Sequence, residues 1–308
     1  IWIGTPAGIA SLTLEPAEQV VALDANDGLS DNETRALLED REGNLWVGTL
    51  TGGLNRLKKR QLTAYGREDG LPGDTVVPIA EDSEGGIWIG MTCGGLVRYR
   101  DGRFTTFAAS DGLPNDCVWS LYPDPDGTLW IGTWGGGLTR RDRDGRFATY
   151  TAANSALPND EVLAIFRDRR GSLWIGTTAG LVRFRDGEFT VFRQKDGLVH
   201  DDVRFITEDR EGAIWIGTTS GASRYMGGTF TNYTTANGLS ANFVRAIHQT
   251  DDGTMWFGTY GGGLDRLAHG RFTHITVRQG MFENVVSRIL EDRHGNFWMT
   301  GNKGIARV

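Results

Sequence analysis

The chain has 308 residues, of which 44 are glycine, ten tryptophan and only 8 proline; glycine at about twice its usual ~7% share, with so many indole rings, excludes a disordered or collagen-like polymer. A net charge of −7, from 39 acidic and 32 basic residues, speaks against nucleic-acid binding without a local basic patch. Two cysteines, Cys93 and Cys117, exclude a disulfide framework or a multi-cysteine metal site, and no apolar run approaches the ~20 residues that span a bilayer.

From the N-terminus, a Trp followed by an aliphatic or aromatic residue, Gly and Thr recurs with small departures. The anchors are Trp2, Trp46, Trp88, Trp130, Trp174, Trp215, Trp256 and Trp298, at intervals of 41 to 44 residues. Such a period marks a repeat architecture. Seven anchors follow a D-x-x-G-x-x-W stretch such as Asp82-Gly85-Trp88, with Thr250 replacing the Asp once. Residues 1–26 supply three strands, six complete sets follow to about residue 277, and residues 284–308 supply three more.

The set at 114–150 shows the pattern. Val118–Tyr122 is a β-rich run, Asp124-Pro125-Asp126-Gly127 a turn, and Leu129–Thr133 a second strand. Gly135–Gly137 turns the chain again, Leu138–Arg141 is the third strand, and Arg146–Tyr150 the fourth. No stretch keeps a helical period for more than a turn. Four antiparallel strands per ~42 residues, repeated, predict an all-β fold, a β-propeller of four-stranded antiparallel blades. The strands are named a to d from the centre outward. Seven blades, closed by pairing strands from the two ends, is the preferred count, with eight the alternative. Residues 1–308 read as a single propeller domain, and the start without Met and the end at Val308 in mid-pattern read as a piece of a longer protein.

The motif L-W-I-G-T, with its upstream D-x-x-G, downstream G-G-L and the intervening D-G-L-P-N-D of Asp111–Asp116, resembles the two-component regulator propeller repeat. The resemblance runs over essentially the whole chain. It implies the extracytoplasmic sensor of a membrane-anchored bacterial signalling protein, periplasmic or extracellular, paired as a dimer in the full-length receptor. The output module would be a histidine kinase or a diguanylate cyclase. No enzymatic activity, cofactor or metal is expected of this part, and no nucleic-acid or membrane contact. Departures lie at the ends, at Pro6, at Glu15-Pro16-Ala17 and at Trp298-Met299-Thr300-Gly301.

Turn chemistry accounts for the recurring Asp and Gly: Asp bonds N–H groups of its own turn and Gly takes the left-handed conformation. A sialidase-like hydrolase would need an arginine cluster, a Tyr nucleophile and a paired Glu; Arg35, Arg204 and Arg245 offer the first, but no Tyr–Glu constellation stands out. The five histidines (His200, His248, His269, His274, His294) are scattered, and neither His269 nor His274 lies beside an obvious carboxylate. A protein-interaction platform is the other alternative. Cys93, in a b–c turn, and Cys117, at the start of the next inner strand, belong to the same end of neighbouring blades. Two small buried thiols is the simpler reading, with a disulfide open in an oxidising compartment.

Alternation places the ligand. The inner strands align Thr34, Val76, Val118, Val162, Val203, Val244 and Val286 in an apolar packing column. The next column is irregular: Arg35, Val77, Trp119, Leu163, Arg204, Arg245 and Ser287. So is the b–c turn column of Leu50, Thr92, Trp134, Thr178, Thr219, Tyr260 and Asn302. Irregularity on a regular scaffold is where binding can be specified. Trp119, Trp134 and Tyr260 with Arg35, Arg204 and Arg245 are therefore the expected ligand-binding residues, around one mouth of the channel. They suit a saccharide or other small ligand, because aromatic faces stack on sugar rings and guanidinium groups bond acidic substituents. The alternative is that the arginines pair with Glu33, Glu161 and Asp202.

Overall fold

The computed structural model describes residues 2–5, 8–13, 19–23, 25, 28–42, 44–58, 61–279, 281, 284–291, 297–300 and 305–307. Pro6, Glu15-Pro16-Ala17, Gly301, Asn302 and His294 lie outside them. The chain forms two compact units, Ile1–Tyr150 and Thr151–Val308, each described by itself. The first begins with a three-stranded sheet of Trp2–Thr5, Gly8–Thr13 and Gln19–Leu23. Three four-stranded antiparallel sheets follow: blade 1 from Thr34 to Tyr65, blade 2 from Val76 to Phe107 and blade 3 from Val118 to Tyr150. The second unit holds blade 4 from Val162 to Phe192, blade 5 from Val203 to Tyr233 and blade 6 from Val244 to Ile275. It ends in a three-stranded sheet of Arg288–Glu291, Phe297–Thr300 and Ile305–Arg307.

The strands fall where the repeat puts them, but the blade count of seven is corrected to six complete blades. Among the described residues each terminal set forms a three-stranded sheet of its own. Each terminal set keeps its own hairpin ladder, Trp2 opposite Ser11 at one end and Arg288 opposite Thr300 at the other. Adjacent strands close these ladders locally, each within its own unit.

Strand b is buried along its whole length in all six blades. Its glycine is dictated by the neighbour. A Cβ on Gly48 would lie 2.5 Å from Val76 Cγ1, and one on Gly176 2.6 Å from Val203 Cγ1. The apolar column thus packs directly onto the W-x-G backbone of the preceding blade. The anchor Trp fills the same wedge: Trp46 clusters with Val76, Ile87 and Ile89, and Trp174 with Val203, Ile214 and Ile216.

The spacing D-x-x-G-x-x-W has a further cause. Asp168 Oδ1 accepts the N–H groups of Arg170 (3.0 Å) and Ser172 (2.8 Å), while Oδ2 accepts Trp174 Nε1 at 2.8 Å. The same indole bond recurs at Asp40, Asp82, Asp124 and Asp209, at 2.7–2.9 Å. At Asp40, burial works against the charge, but bonds from the Asn44 and Trp46 side chains and from the Asn44 and Glu42 N–H groups hold the carboxyl below its usual range. Opposite the anchor Trp of each complete blade an arginine stands in strand c, as Trp88 opposite Arg98 and Trp215 opposite Arg224. Arg98 lies over the Trp88 ring at 5.3 Å and bonds Asp82 at 2.6 Å. Asp, Trp and Arg therefore brace one another, a cation–π contact closing the wedge.

The d–a connections explain D-G-L-P-N-D. Asp111 Oδ2 accepts the Ala108 N–H at 2.9 Å across a 3₁₀ turn at Ala109–Asp111, Gly112 sits at φ 101°, and Leu113 is buried against the Trp88 cluster. Asp116 Oδ1 then accepts the Ala109 N–H at 3.1 Å. Arginines of three D-R-x-G turns latch the next blade: the Arg169 N–H donates to Glu208 Oε2 at 2.9 Å, with Arg41 and Arg210 repeating the reach toward Glu81 and Gln249.

Candidate functional site

The b–c turns and d–a connections lie at the same end of each blade, opposite the Asp turns. In blades 1, 3, 4, 5 and 6 the pairing of strands a and b skips one residue just inside this end, between Thr34 and Ala36, Val118 and Ser120, Val162 and Ala164, Val203 and Phe205, and Val244 and Ala246. In blade 2 it skips from Val76 to Ile79. The skipped residues are the irregular column, Arg35, Trp119, Leu163, Arg204 and Arg245, with Val77 and its neighbour Pro78 in blade 2. A β-bulge leaves its extra residue outside the ladder and re-aims its side chain, which frees this column from the core's demands.

The turn column is tied to the same spot by backbone. The Trp134 N–H donates to the Cys117 carbonyl at 2.9 Å, and the Tyr260 N–H to the Phe243 carbonyl at 2.8 Å. In blade 3 this brings Trp119 and Trp134 together, ring centroids 5.4 Å apart at 45°. In blade 6 the Arg245 guanidinium lies 5.8 Å from the Tyr260 ring and 5.6 Å from Phe243, with Nη1 3.4 Å from Ser287 Oγ. Trp134 and Tyr260 are 38% and 46% exposed, among the few large hydrophobic side chains presented to solvent.

The other two arginines are engaged by acids of their own segment. Arg35 Nη2 donates to Glu33 Oε1 at 2.5 Å, and Arg204 meets Asp202 through both carboxylate oxygens at 2.6 and 2.7 Å. The paired-acid alternative therefore holds for these two. Glu161 instead accepts the Thr178 hydroxyl at 2.7 Å.

Several features escaped the sequence reading. Phe243 completes the blade 6 cluster, and its own column (Glu33, Thr75, Cys117, Glu161, Asp202, Phe243) is as irregular as the two singled out. Cys93 and Cys117 are joined in a disulfide, their Cα atoms 3.7 Å apart, which corrects the two-thiol reading; Cys93 is exposed. His274 does have a carboxylate beside it: Nδ1 lies 2.7 Å from Oδ1 of the fully buried Asp265. Strand register makes the two direct cross-strand partners. Burial raises the Asp265 carboxyl above its ordinary range, against bonds from Ser240 and His274. Among the described residues no group of three or more His, Cys, Asp or Glu is arranged to hold a metal ion.

A family model described as the two-component regulator propeller matches residues 28–51, 70–92, 112–135, 156–179, 197–220 and 238–261. The chain belongs to that family. Each match in this propeller runs from the d–a connection through strands a and b to the b–c turn, the segment in which the bulge and turn columns lie. A search of curated proteins finds no match. Among solved structures, the extracellular domain of the putative hybrid two component system BT4673 from B. thetaiotaomicron is similar at 20% identity and a TM-score of 0.70. The match covers 89% of this chain and 38% of that one, so the propeller spans well under half of that relative's length. Virginiamycin B lyase from Staphylococcus aureus is similar at 18% identity and a TM-score of 0.68, over 89% of this chain and 94% of that one. At these identities the likenesses concern the fold alone.

Proposed function

We propose that this propeller is the extracytoplasmic ligand-sensing part of a bacterial signal-transduction receptor, and that it binds a saccharide or other small ligand at the b–c ends of its blades. The observation that carries the reading is the coincidence of the irregular column with the β-bulges. The scaffold repeats, while the residues released from it vary from blade to blade. Trp119 with Trp134, and Tyr260 with Arg245, supply aromatic faces of the kind that stack on a sugar ring. Arg35 and Arg204, each held by an acid, form the planar charged pairs that hydrogen-bond hydroxyl groups while keeping their own charge balanced. The role is recognition rather than turnover.

Support for the compartment comes from the Cys93–Cys117 disulfide, a bond that persists in oxidising surroundings, and from the fold likeness to an extracellular domain. In the intact receptor the partner would be a second copy of the chain.

Calorimetry with a panel of neutral and acidic oligosaccharides tests the reading. At least one should bind the wild-type chain. Trp134→Ala or Arg204→Ala should then cost about 1–3 kcal/mol of binding with little change in melting temperature. Absence of binding across the panel, or binding indifferent to every substitution in the two columns, would overturn it.

A further inference from the structure

A second feature at the b–c end lies apart from the bulge column. Between blades 1 and 2 is an open cleft of about 270 Å³, lined by Thr51, Arg67, Gly73, Asp74, Thr92 and Cys93 among others, with the Arg67 side chain 66% exposed at its rim. It forms where four positions of one repeat depart from its siblings. Met91 stands where Thr49, Thr133, Thr177, Thr218 and Thr259 each donate a hydroxyl to a carbonyl across the turn. Gly73 stands where Asp31, Asn115, Asn159 and His200 each accept the N–H two residues on. In blades 1 and 5 that side chain also reaches the b–c turn, Asp31 to Thr51 and His200 to Thr219. With glycine there, the space beside Thr92–Gly94 stays open.

The third departure is Cys93, left-handed at φ 58° where blades 3 and 6 use Gly135 and Gly261. An L-residue is disfavoured there, and its disulfide ties this turn to blade 3. The fourth is Arg67, where the other connections carry Ala25, Ala109, Ala152, Gln194, Thr235 and Val277. Its Nε donates to Asp74 Oδ2 at 2.8 Å. In the sibling connections the residue at Asp74's place, such as Asp116, Asp201 or Asn242, binds the backbone N–H of the 3₁₀ turn instead.

We propose that this cleft binds a small carboxylate carrying a hydrogen-bond donor on the neighbouring carbon, that is, an α-amino or α-hydroxy acid. Asp74 fixes the guanidinium through Nε, and among the described residues Nη1 and Nη2 have no other partner. This is the fork that takes a carboxylate through two parallel bonds. Asp74 Oδ1 is the acceptor for the ligand's ammonium or hydroxyl, and the Thr92 hydroxyl adds a further polar contact. The paired charges of the wall match a zwitterion without a net field to oppose it. The size agrees: pockets for drug-sized ligands run from roughly 300 to 1,000 Å³, and this cleft, just below that range, suits a molecule of a few heavy atoms. The inference does not depend on the saccharide reading, because it uses neither the bulge column nor the aromatic pairs.

Isothermal calorimetry on the 308-residue chain, with L-alanine, L-serine, glycolate and L-lactate as probes and acetate as control, tests it. Saturable binding of an amino acid or a hydroxy acid is expected, and which of the two responds assigns the class. Arg67→Gln should weaken that binding about tenfold or more, a loss in line with removing a bidentate charged contact. Gly73→Asn restores the sibling side chain and should abolish binding while the circular dichroism spectrum and melting temperature are kept, since a Cβ at Gly73 meets only the flexible Met91 Cε at 3.4 Å. Absence of binding by all four probes up to about 10 mM, beyond the millimolar range of a weak specific site, would overturn the proposal. So would acetate binding as tightly as the others, or binding untouched by Gly73→Asn in a folded protein.

Discussion

The two ends of each blade obey different rules. At the Asp-turn end one solution is used again and again: an acid accepts turn N–H groups and the indole of the next Trp, and in blades 1, 2 and 5 an arginine covers that ring. The exception keeps only the turn. Where Thr250 replaces the acid, Asp252 accepts the Thr250 and Thr254 hydroxyls at 2.6 and 3.1 Å and the Thr254 N–H at 2.9 Å. At the b–c end, backbone bonds are kept from blade to blade while the side chains change from Trp to Arg to Leu. The difference shows where the fold is held and where the chain is free to vary: the first end is constrained by buried apolar surface and buried acceptors, the second by little beyond turn geometry.

Substitutions at the two ends can break this comparison. The largest contrast is between two tryptophans. Trp174→Ala should cost about 3–5 kcal/mol of stability, as for buried aromatic truncation, whereas Trp134→Ala should cost less than about 1 kcal/mol; denaturant unfolding measures both. Next is the one structural lock at the variable end. Replacing Cys93 and Cys117 together by Ser opens a link across a sequence separation of 24 and should cost about 3 kcal/mol by the chain-entropy relation, with wild-type chain under reductant following the double variant. Asp168→Ala strips acceptors from two N–H groups and a buried indole and should cost about 1–3 kcal/mol, while Arg245→Ala should stay within about 1 kcal/mol.

The smallest effect is one of pH. Hydrogen bonds from the Thr250 hydroxyl and from the Thr254 N–H and hydroxyl lower the Asp252 carboxyl from 3.8 to about 2. Its contribution to stability is thus present above about pH 4 and is lost as the pH falls through about 2. The carboxyl carbon of Asp252, followed by NMR, should titrate near that lower value, and Asp252→Asn should remove its share of the acid dependence. Titration near the ordinary value would show that Asp252 does not hold the turn.

Much of this was legible from spacing alone. The period, the strands, the Trp wedge and the valine column follow from patterning, because burial by a neighbouring blade demands the same residue each time. The irregular column was legible as a departure, but its cause was not. A bulge adds one residue to a pairing and leaves no mark in composition, and only the skipped register between Val118 and Ser120 or Val203 and Phe205 shows it. The Asp–Trp bond was hidden in plain spacing, since the six residues from Asp168 to Trp174 read as a turn and a strand rather than a donor and its acceptor. The Asp265–His274 pair and the Cys93–Cys117 bond need cross-strand register and inter-blade distance. The terminal strands misled the count, because strand number does not say whether two incomplete sets will share one sheet.

An alanine scan of two columns, read as thermal unfolding midpoints, tests the central claim most directly. One column is the acids and indoles of the Asp-turn end (Asp82, Asp168, Asp209, Trp88, Trp174, Trp215), the other the bulge residues (Arg35, Trp119, Leu163, Arg204, Arg245). The account predicts two separate groups, every variant of the first lowering the midpoint well below any variant of the second. Overlapping groups, with bulge residues as costly to remove as the acids and indoles, would contradict it.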